Sequence, residues 1–338
     1  METEQILQKQ PNPYKISSFD DFLFNETAKT IVRNMLKKNM FPNAFLIEGA
    51  KGTGKKTFAK ILAQSILCKS GDKPCFGCVC CEKIANDIHP DVKILVPDTK
   101  GGGYSAALAR NIIKDAYTLP NEASRCIFII PNLPLMAEKT QNALLKVIEE
   151  PPNNCVFIFT CENRKQVLPT VLSRTSIIRM DTPSYGQKLK FTPLFLPDAS
   201  ESQIQIGSKI SKGGFGDVVD ILCNEKMQNS YFLARDCAKE MIKGSPYNLL
   251  KLFLTLDKNK DTAFDVLEYL ENIFSDILII REANSLADEF ENELMMHISS
   301  SACLNILGLI KQAKLQLKNN CSVNIVFTNL CINAKSTK

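Results

Sequence analysis

The stretch Gly49-Ala-Lys-Gly52-Thr-Gly54-Lys55-Lys56-Thr57 constrains this chain more than any other. Before it runs Ala44-Phe-Leu-Ile47, a short continuous apolar segment of strand type, and after it a helical pattern from about Lys55 to Leu67. A glycine-rich turn between strand and helix lets backbone N–H groups approach phosphate oxygens. The helix N-terminus favours the anion, and Lys55 neutralises its charge. The expected fold is a P-loop α/β domain, with Gly49, Gly52, Gly54, Lys55 and Thr57 as nucleotide-binding candidates.

The loop departs from its rule in one place. A Ser or Thr should follow the lysine to ligate Mg²⁺, but that residue is Lys56. Thr57 comes one position late, which turns it by about 100° around the helix. A cation at the magnesium-ligand position argues against tight metal–nucleotide binding. A second element should end the apolar strand 126–130 in carboxylates that hold metal and water. This strand runs instead into Pro131 and Asn132, and Glu138 lies too far along, in the next helix, to substitute. The chain reads as an NTPase scaffold without the hydrolytic groups.

From about residue 25 to 180, apolar runs of strand type alternate with helical patterns. The strands are Ala44–Ile47, Val92–Val96, Cys126–Ile130 and Cys155–Thr160, and Asn25 is placed to cap a helix bearing Ala28, Ile31, Val32, Met35 and Leu36. Runs apolar on both faces and separated by helices predict a parallel sheet. Residues 183–200, with Pro183, Pro193 and Pro197, read as a linker or an irregular lid entry. Beyond 200 the periods are helical; Val266, Leu270, Ile273, Ile277 and Ile280 form one stripe, and Ile306, Leu309, Ile310, Ala313 and Leu317 another. The stripe 266–280 is expected to be helical core or a subunit interface. The class is therefore α/β followed by all-α.

Composition narrows the rest. The longest uncharged apolar stretch, Cys126 to Ala137, is twelve residues, and a membrane helix needs about 20. The N-terminus carries early acids and is not a signal peptide. A net charge of +5 permits nucleic-acid contact without demanding it. Lys51, Lys55, Lys56 and Lys60 read as solvated helix charge plus one phosphate lysine, and Lys100-Gly101-Gly102-Gly103 as a surface turn. His89 and His297 offer no catalytic pairing. Of thirteen cysteines most are scattered singly in apolar runs, where they behave as small hydrophobes and indicate a reducing cytoplasm. Cys68, Cys75, Cys78 and Cys81 are different, with six, two and two intervening residues. Four thiolates so spaced suit one tetrahedral Zn²⁺ in a closed structural site, with iron–sulfur ligation as the alternative and Cys80 left as a spare thiol.

Several motifs in order then meet a known family. Asn43-Ala-Phe-Leu, the P-loop, the cysteine insert, His89-Pro-Asp-Val92, Asn142-Ala-Leu-Leu-Lys146, Glu149-Glu150-Pro151-Pro152 and Ser173-Arg174 together resemble bacterial clamp-loader AAA+ subunits of DNA polymerase III. The resemblance covers roughly residues 25–180. It implies an AAA+ α/β domain over 1–180 with a zinc insert at 68–81, a small helical lid over 181–225, and a C-terminal helical collar over 226–338 that joins a hetero-oligomer. In this family ATPase-competent tau/gamma subunits keep the P-loop hydroxyl and an Asp-Glu pair. The delta-prime type lacks hydrolytic residues yet keeps the Ser-Arg pair, and this sequence is similar to that type. Thr160 aligns with the first sensor, and Gly213-Gly214-Phe215-Gly216-Asp217 looks like the second, with glycine in place of its arginine.

What the resemblance implies for function follows. Arg174, with Ser173, would serve as an arginine finger in a neighbouring subunit's active site, although Thr175 stands where the motif usually has Cys. ATP or ADP binding by this chain would be weak or absent. Its partners would be tau/gamma and delta subunits, with the sliding clamp and primer-template DNA reached through the complex, in the cytoplasm and away from membranes. The alternatives are an ATPase-competent tau/gamma-type subunit, against which Pro131-Asn132 and an end at Lys338 without a C-terminal extension both count, and a zinc-containing DNA-binding module.

Overall fold

Short apolar runs become the inner strands of a parallel sheet because both of their faces are covered. The computed structural model describes residues 16–98, 102–152, 155–256, 260–283 and 289–335, so Lys100 and Gly101 of the glycine turn lie outside the described residues. The described strands are β1 (Ala44–Glu48), β2 (Val92–Ile94), β3 (Ile127–Ile130), β4 (Val156–Cys161) and β5 (Ser176–Arg179). They order as β2-β3-β4-β1-β5, with every neighbouring pair parallel.

Successive residues of a strand point to opposite faces, and the core divides accordingly. Phe45, Ile47, Ile127, Ile129, Val156 and Ile158 enter one cluster, under α1 (Glu26–Lys38) and α2 (Lys55–Leu67). Ala44, Leu46, Phe128, Ile130, Phe157 and Phe159 enter the other, under α4 (Ala106–Ala116) and α5 (Glu138–Glu149). Between α2 and β2 lies the short α3 (Val79–Ala85). Sheet class and parallel pairing agree with the sequence reading.

Three local expectations need correction. Asn25 precedes α1 but is left-handed (φ 64°) and makes no side-chain cap; its Oδ1 accepts from the Asp181 N–H at 2.6 Å instead. Strand β5 was not anticipated, because four residues beside β1 are too few to show a period; Met180 N–H continues the ladder to Glu48 O at 2.7 Å. Residues 183–200 are not wholly irregular. After α6 (Pro169–Leu172), α7 (Tyr185–Phe191) opens on a Ser184/Gln187 capping box, and α8 (Glu201–Ile210) on a matching Ser200/Gln203 box. Each is a Ser-x-x-Gln signature visible in the sequence.

The chain divides into two units, one ending at Asp220 and the other beginning at Ile221, within α9 (Phe215–Leu222). The second unit contains α10 (Glu225–Ile242), α11 (Pro246–Leu254), α12 (Lys260–Ala283), α13 (Glu289–Met295), α14 (Ser300–Lys318) and α15 (Val323–Lys335). Helix α12 packs on α10 and α14, and α15 on α11 and α14. Val266, Leu270, Ile273 and Ile277 are buried there, so the stripe 266–280 is the core of this unit. None of the described helices is long and apolar enough to cross a membrane.

Asp91 fixes the approach to β2. Its buried carboxylate accepts the N–H groups of Asn121 (2.6 Å), Glu122 (2.8 Å) and Ala123 (2.8 Å), plus the Asn121 side-chain amide at 3.1 Å. Burial alone would raise its pKa, but these donors outweigh burial and hold it below the ordinary value. A carboxyl depressed on folding adds stability above its unfolded pKa and loses it as pH falls through the folded one. Asp91→Ala is therefore expected to cost roughly 3 kcal/mol at pH 7. In urea melts the gap from wild type should narrow below about pH 4.

Candidate functional site

The P-loop takes the shape that its glycines permit. Gly49 N–H donates to Cys161 O at 3.2 Å, which ties the end of β1 to β4, and Gly52 (φ 72°) and Gly54 (φ 84°) are left-handed. Helix α2 starts at Lys55, whose ammonium turns back to donate to Gly49 O (2.7 Å) and Ala50 O (2.8 Å). Burial pulls the Lys55 pKa below its ordinary value, opposed by the nearby Glu162 charge. Lys56 and Thr57 are exposed. Loop and helix start, together with Phe22, Phe24, Phe195, Phe215, Pro131, Asn132 and Thr160, line a cavity of about 680 Å³. Gly52, Gly54, Lys55 and Thr57 thus meet at one cavity, while Gly49 is buried behind them.

The far end of β3 is committed to structure. Pro131 O accepts from the Tyr104 hydroxyl, and Asn132, left-handed at φ 49°, donates its N–H to Thr160 Oγ1 at 2.8 Å. The carboxylates lining the cavity are Asp21, Asp181 and Asp220, none of which follows β3. Asp21 is held by Ser17 and Ser18, which keep its pKa low.

The glycine segment before α9 rests on the P-loop backbone. Gly214 N–H donates to Lys51 O at 2.8 Å and Gly216 N–H to Gly52 O at 3.0 Å. A Cβ on Gly213 would stand 2.1 Å from Lys51 O, and one on Gly214 2.4 Å from Gly52 O. No side chain fits, so glycine there reflects close backbone packing and not merely a lost arginine. Asp217 seals the contact: it accepts from Ser211 Oγ (2.8 Å) and pairs with Lys51 Nζ (3.3 Å), while buried Lys188 donates to Ser211 O at 2.6 Å. Burial lowers the Lys188 pKa. Gly214→Ala is expected to destabilise the protein by roughly 1–3 kcal/mol in thermal or urea unfolding, since neither backbone can give way without cost.

Ser173 and Arg174 follow α6 on the surface. The Arg174 guanidinium pairs through Nε with Glu149 Oε1, and its Nη1 donates to Thr170 O (2.9 Å) and Ser173 Oγ (3.0 Å). Its side chain is 36% exposed.

The cysteine insert forms a preshaped cage. Phe76 is left-handed (φ 56°), and the turn brings the N–H groups of Gly77 and Cys78 toward Cys75, lowering its pKa to about 6. Cys78 precedes α3, and its Sγ accepts from Cys81 N–H at 3.5 Å, so both sulfurs share one side of the turn. The Sγ atoms of Cys68, Cys75, Cys78 and Cys81 all lie within 4.8 Å of one another. The pairs Cys68–Cys75, Cys68–Cys78 and Cys75–Cys81 stand at 3.6, 4.0 and 4.0 Å. A tetrahedron with metal–sulfur bonds of about 2.3 Å has edges near 3.8 Å, so the set fits one such metal ion.

Two residues undervalued in the sequence reading brace this cage. Lys60, grouped there with the P-loop charges, donates to Ala85 O (3.1 Å) and pairs with Asp87 (2.5 Å). Buried His89 accepts the Asp91 N–H on Nδ1 (3.1 Å), which leaves Nε2 protonated and facing Cys80 Sγ at 3.6 Å. The spare thiol is thus held away from the cage. The spacing of Cys80 and His89 gave no hint of this meeting.

Residues 24–184 match a family model described as "DNA polymerase III, delta subunit". The DNA polymerase III subunit tau of Bacillus subtilis is 26% identical over 338 residues, covering 90% of this chain and 59% of that protein. The chain thus spans less than two thirds of that relative. Subunit delta' of the same organism is 25% identical over 329 residues, covering 89% of this chain and 93% of its own length. A crystal structure of a gamma subunit-related protein from Thermotoga maritima covers 92% of this chain and 99% of its own, at 16% identity and a TM-score of 0.50. That likeness shows the AAA+ P-loop fold. With the P-loop, the cysteine cage and the Ser-Arg pair in one α/β unit, the chain is homologous to the delta', tau and gamma subunits of DNA polymerase III.

Proposed function

We propose that this chain is a delta-prime-type subunit of the clamp loader, without ATP turnover of its own, which lends Arg174 to a neighbouring subunit's ATP. One observation carries the reading: Lys56, Pro131 and Asn132 stand where hydrolysis needs a hydroxyl and carboxylates, while Arg174 remains accessible on the surface. A guanidinium set against a transferring phosphoryl group stabilises its developing charge. The partners in this reading are tau/gamma and delta subunits, and the sliding clamp and primed DNA are met through the assembled cytoplasmic complex. Residues 181–225 act as the lid and 226–338 as the collar. The four cysteines hold Zn²⁺ in a structural role, since four sulfurs leave no open coordination position.

A second reading, a tau/gamma-type ATPase, draws on the cavity of about 680 Å³ that persists at Lys55. Mg²⁺-dependent ATP hydrolysis separates the two, measured on the purified chain alone and reconstituted with an ATPase-competent subunit complex. The expected result is no turnover alone, and a DNA-stimulated rate in the complex that depends on Arg174. Robust turnover by the isolated chain would overturn the delta-prime reading.

A further inference from the structure

Arg174 is not free to point anywhere, and its restraint has a direction. Helix α5 ends at Glu149, after which Glu150 and Pro151-Pro152 stop the helix. That stop leaves the Glu149 carboxylate beside the turn that follows α6, where Arg174 N–H is fixed to Val171 O at 3.1 Å. Glu149 takes the Nε edge of the guanidinium, while Thr170 O and Ser173 Oγ take both hydrogens of Nη1. Nη2 has no hydrogen-bond partner among the described residues. Five N–H donors in a rigid plane are thus divided: three are anchored to this chain and two are left without a partner among the described residues.

The ion pair is poorly explained as a stability device. Its side chains are 36% and 43% exposed, a setting in which such pairs are screened and contribute little. An anchored guanidinium instead loses less rotamer freedom when it meets a phosphate, and its plane is set beforehand. We propose that Glu149 is the positioning residue of the finger, holding Arg174 by Nε so that Nη2 faces the phosphate of a neighbouring subunit. This rests on the trans-acting role given to Arg174 above. Ser173 contributes to the same hold through Oγ, and Glu149 supplies the only carboxylate that touches the guanidinium among the described residues.

The test is a double-mutant cycle on the full-length chain in the reconstituted complex, using Arg174→Ala, Glu149→Ala, both together, and Glu149→Gln. Glu149→Ala is expected to lower the DNA-stimulated kcat about 10- to 100-fold while KM for ATP stays within about twofold, because the nucleotide is bound by the neighbour. Added to Arg174→Ala it should lower the rate no further, since it acts through that residue. Glu149→Gln keeps an acceptor for Nε and should recover most of the rate, and it also decides the matter if Glu149→Ala melts early. A wild-type or faster rate for Glu149→Ala, additive losses in the double variant, or Glu149→Gln as slow as Glu149→Ala would each overturn the positioning role. The two readings fail differently. A full rate with Arg174→Ala removes the finger itself, whereas a slow Arg174→Ala beside a normal Glu149→Ala removes only its guide.

Discussion

Arg174→Ala is expected to lower the DNA-stimulated ATP turnover of the assembled complex by about 10³-fold, the lower end of what an arginine finger supplies. The loss should fall on kcat, because the guanidinium meets charge that develops as the phosphoryl group moves. Arg174→Lys should recover little: an ammonium cannot be held at one nitrogen by Glu149 while offering another to phosphate. The folded chain should barely notice either change. Arg174 and Glu149 are both substantially exposed, and removing such a pair alters stability by about 1 kcal/mol or less. Steady-state kinetics together with a thermal melt of each variant check both halves. A complex that keeps its full rate with Arg174→Ala would leave Arg174 as a surface ion pair and nothing more.

The second large effect concerns the cysteine cage. Protein purified without chelator is expected to carry about one Zn²⁺ per chain, and stripping it should cost on the order of 5 kcal/mol or more of folding stability. Gln64 on α2 donates to Cys81 O at 2.8 Å and Lys60 to Ala85 O at 3.1 Å, but these contacts grip α3 and not the four sulfurs. Helix α3 has seven residues, well below the length at which an isolated helix is stable, and its first turn is organised around the Cys78 and Cys81 sulfurs. Burial pushes the Cys81 thiol up while the Cys75 thiol is pulled down. Four thiolates crowded together therefore need the cation, and metal retention should weaken as pH falls and the ligands protonate. Cys78→Ser should lose the metal and melt early, whereas Cys80→Ser should keep full stoichiometry, because Cys80 faces His89 and not the cage. Elemental analysis beside calorimetry reads both, and a stoichiometry near zero in the wild type would end the zinc assignment.

The parts legible in the sequence were those fixed by local chemistry. Gly52 and Gly54 announce a phosphate loop because few other residues accept those backbone angles, and the cysteine spacing announces a cage because a metal demands four near sulfurs. The parts that were missed depend on partners distant in the chain. Asn25 looks like a cap until Asp181, far along the sequence, claims its side chain. Lys60 looks like solvated helix charge until Asp87 is folded beside it. The glycines at 213 and 214 read as a lost arginine until the P-loop backbone is found pressed against them. Strand β5 has no period of its own and exists because β1 offers an open edge.

The strand order also governs when this unit can form. Ala44 in β1 pairs with Phe157 in β4, and Phe45 with Ser176 in β5, so the strand that launches the P-loop has neither of its neighbours until residues far downstream have been synthesised. Pairings of such sequence separation form slowly, and apolar segments left waiting are exposed to aggregation. Phe45, Leu46 and Ile47, fully buried in the finished sheet, must remain unpaired on the ribosome throughout that interval. In this strand order the segment that launches the P-loop is made early and paired late.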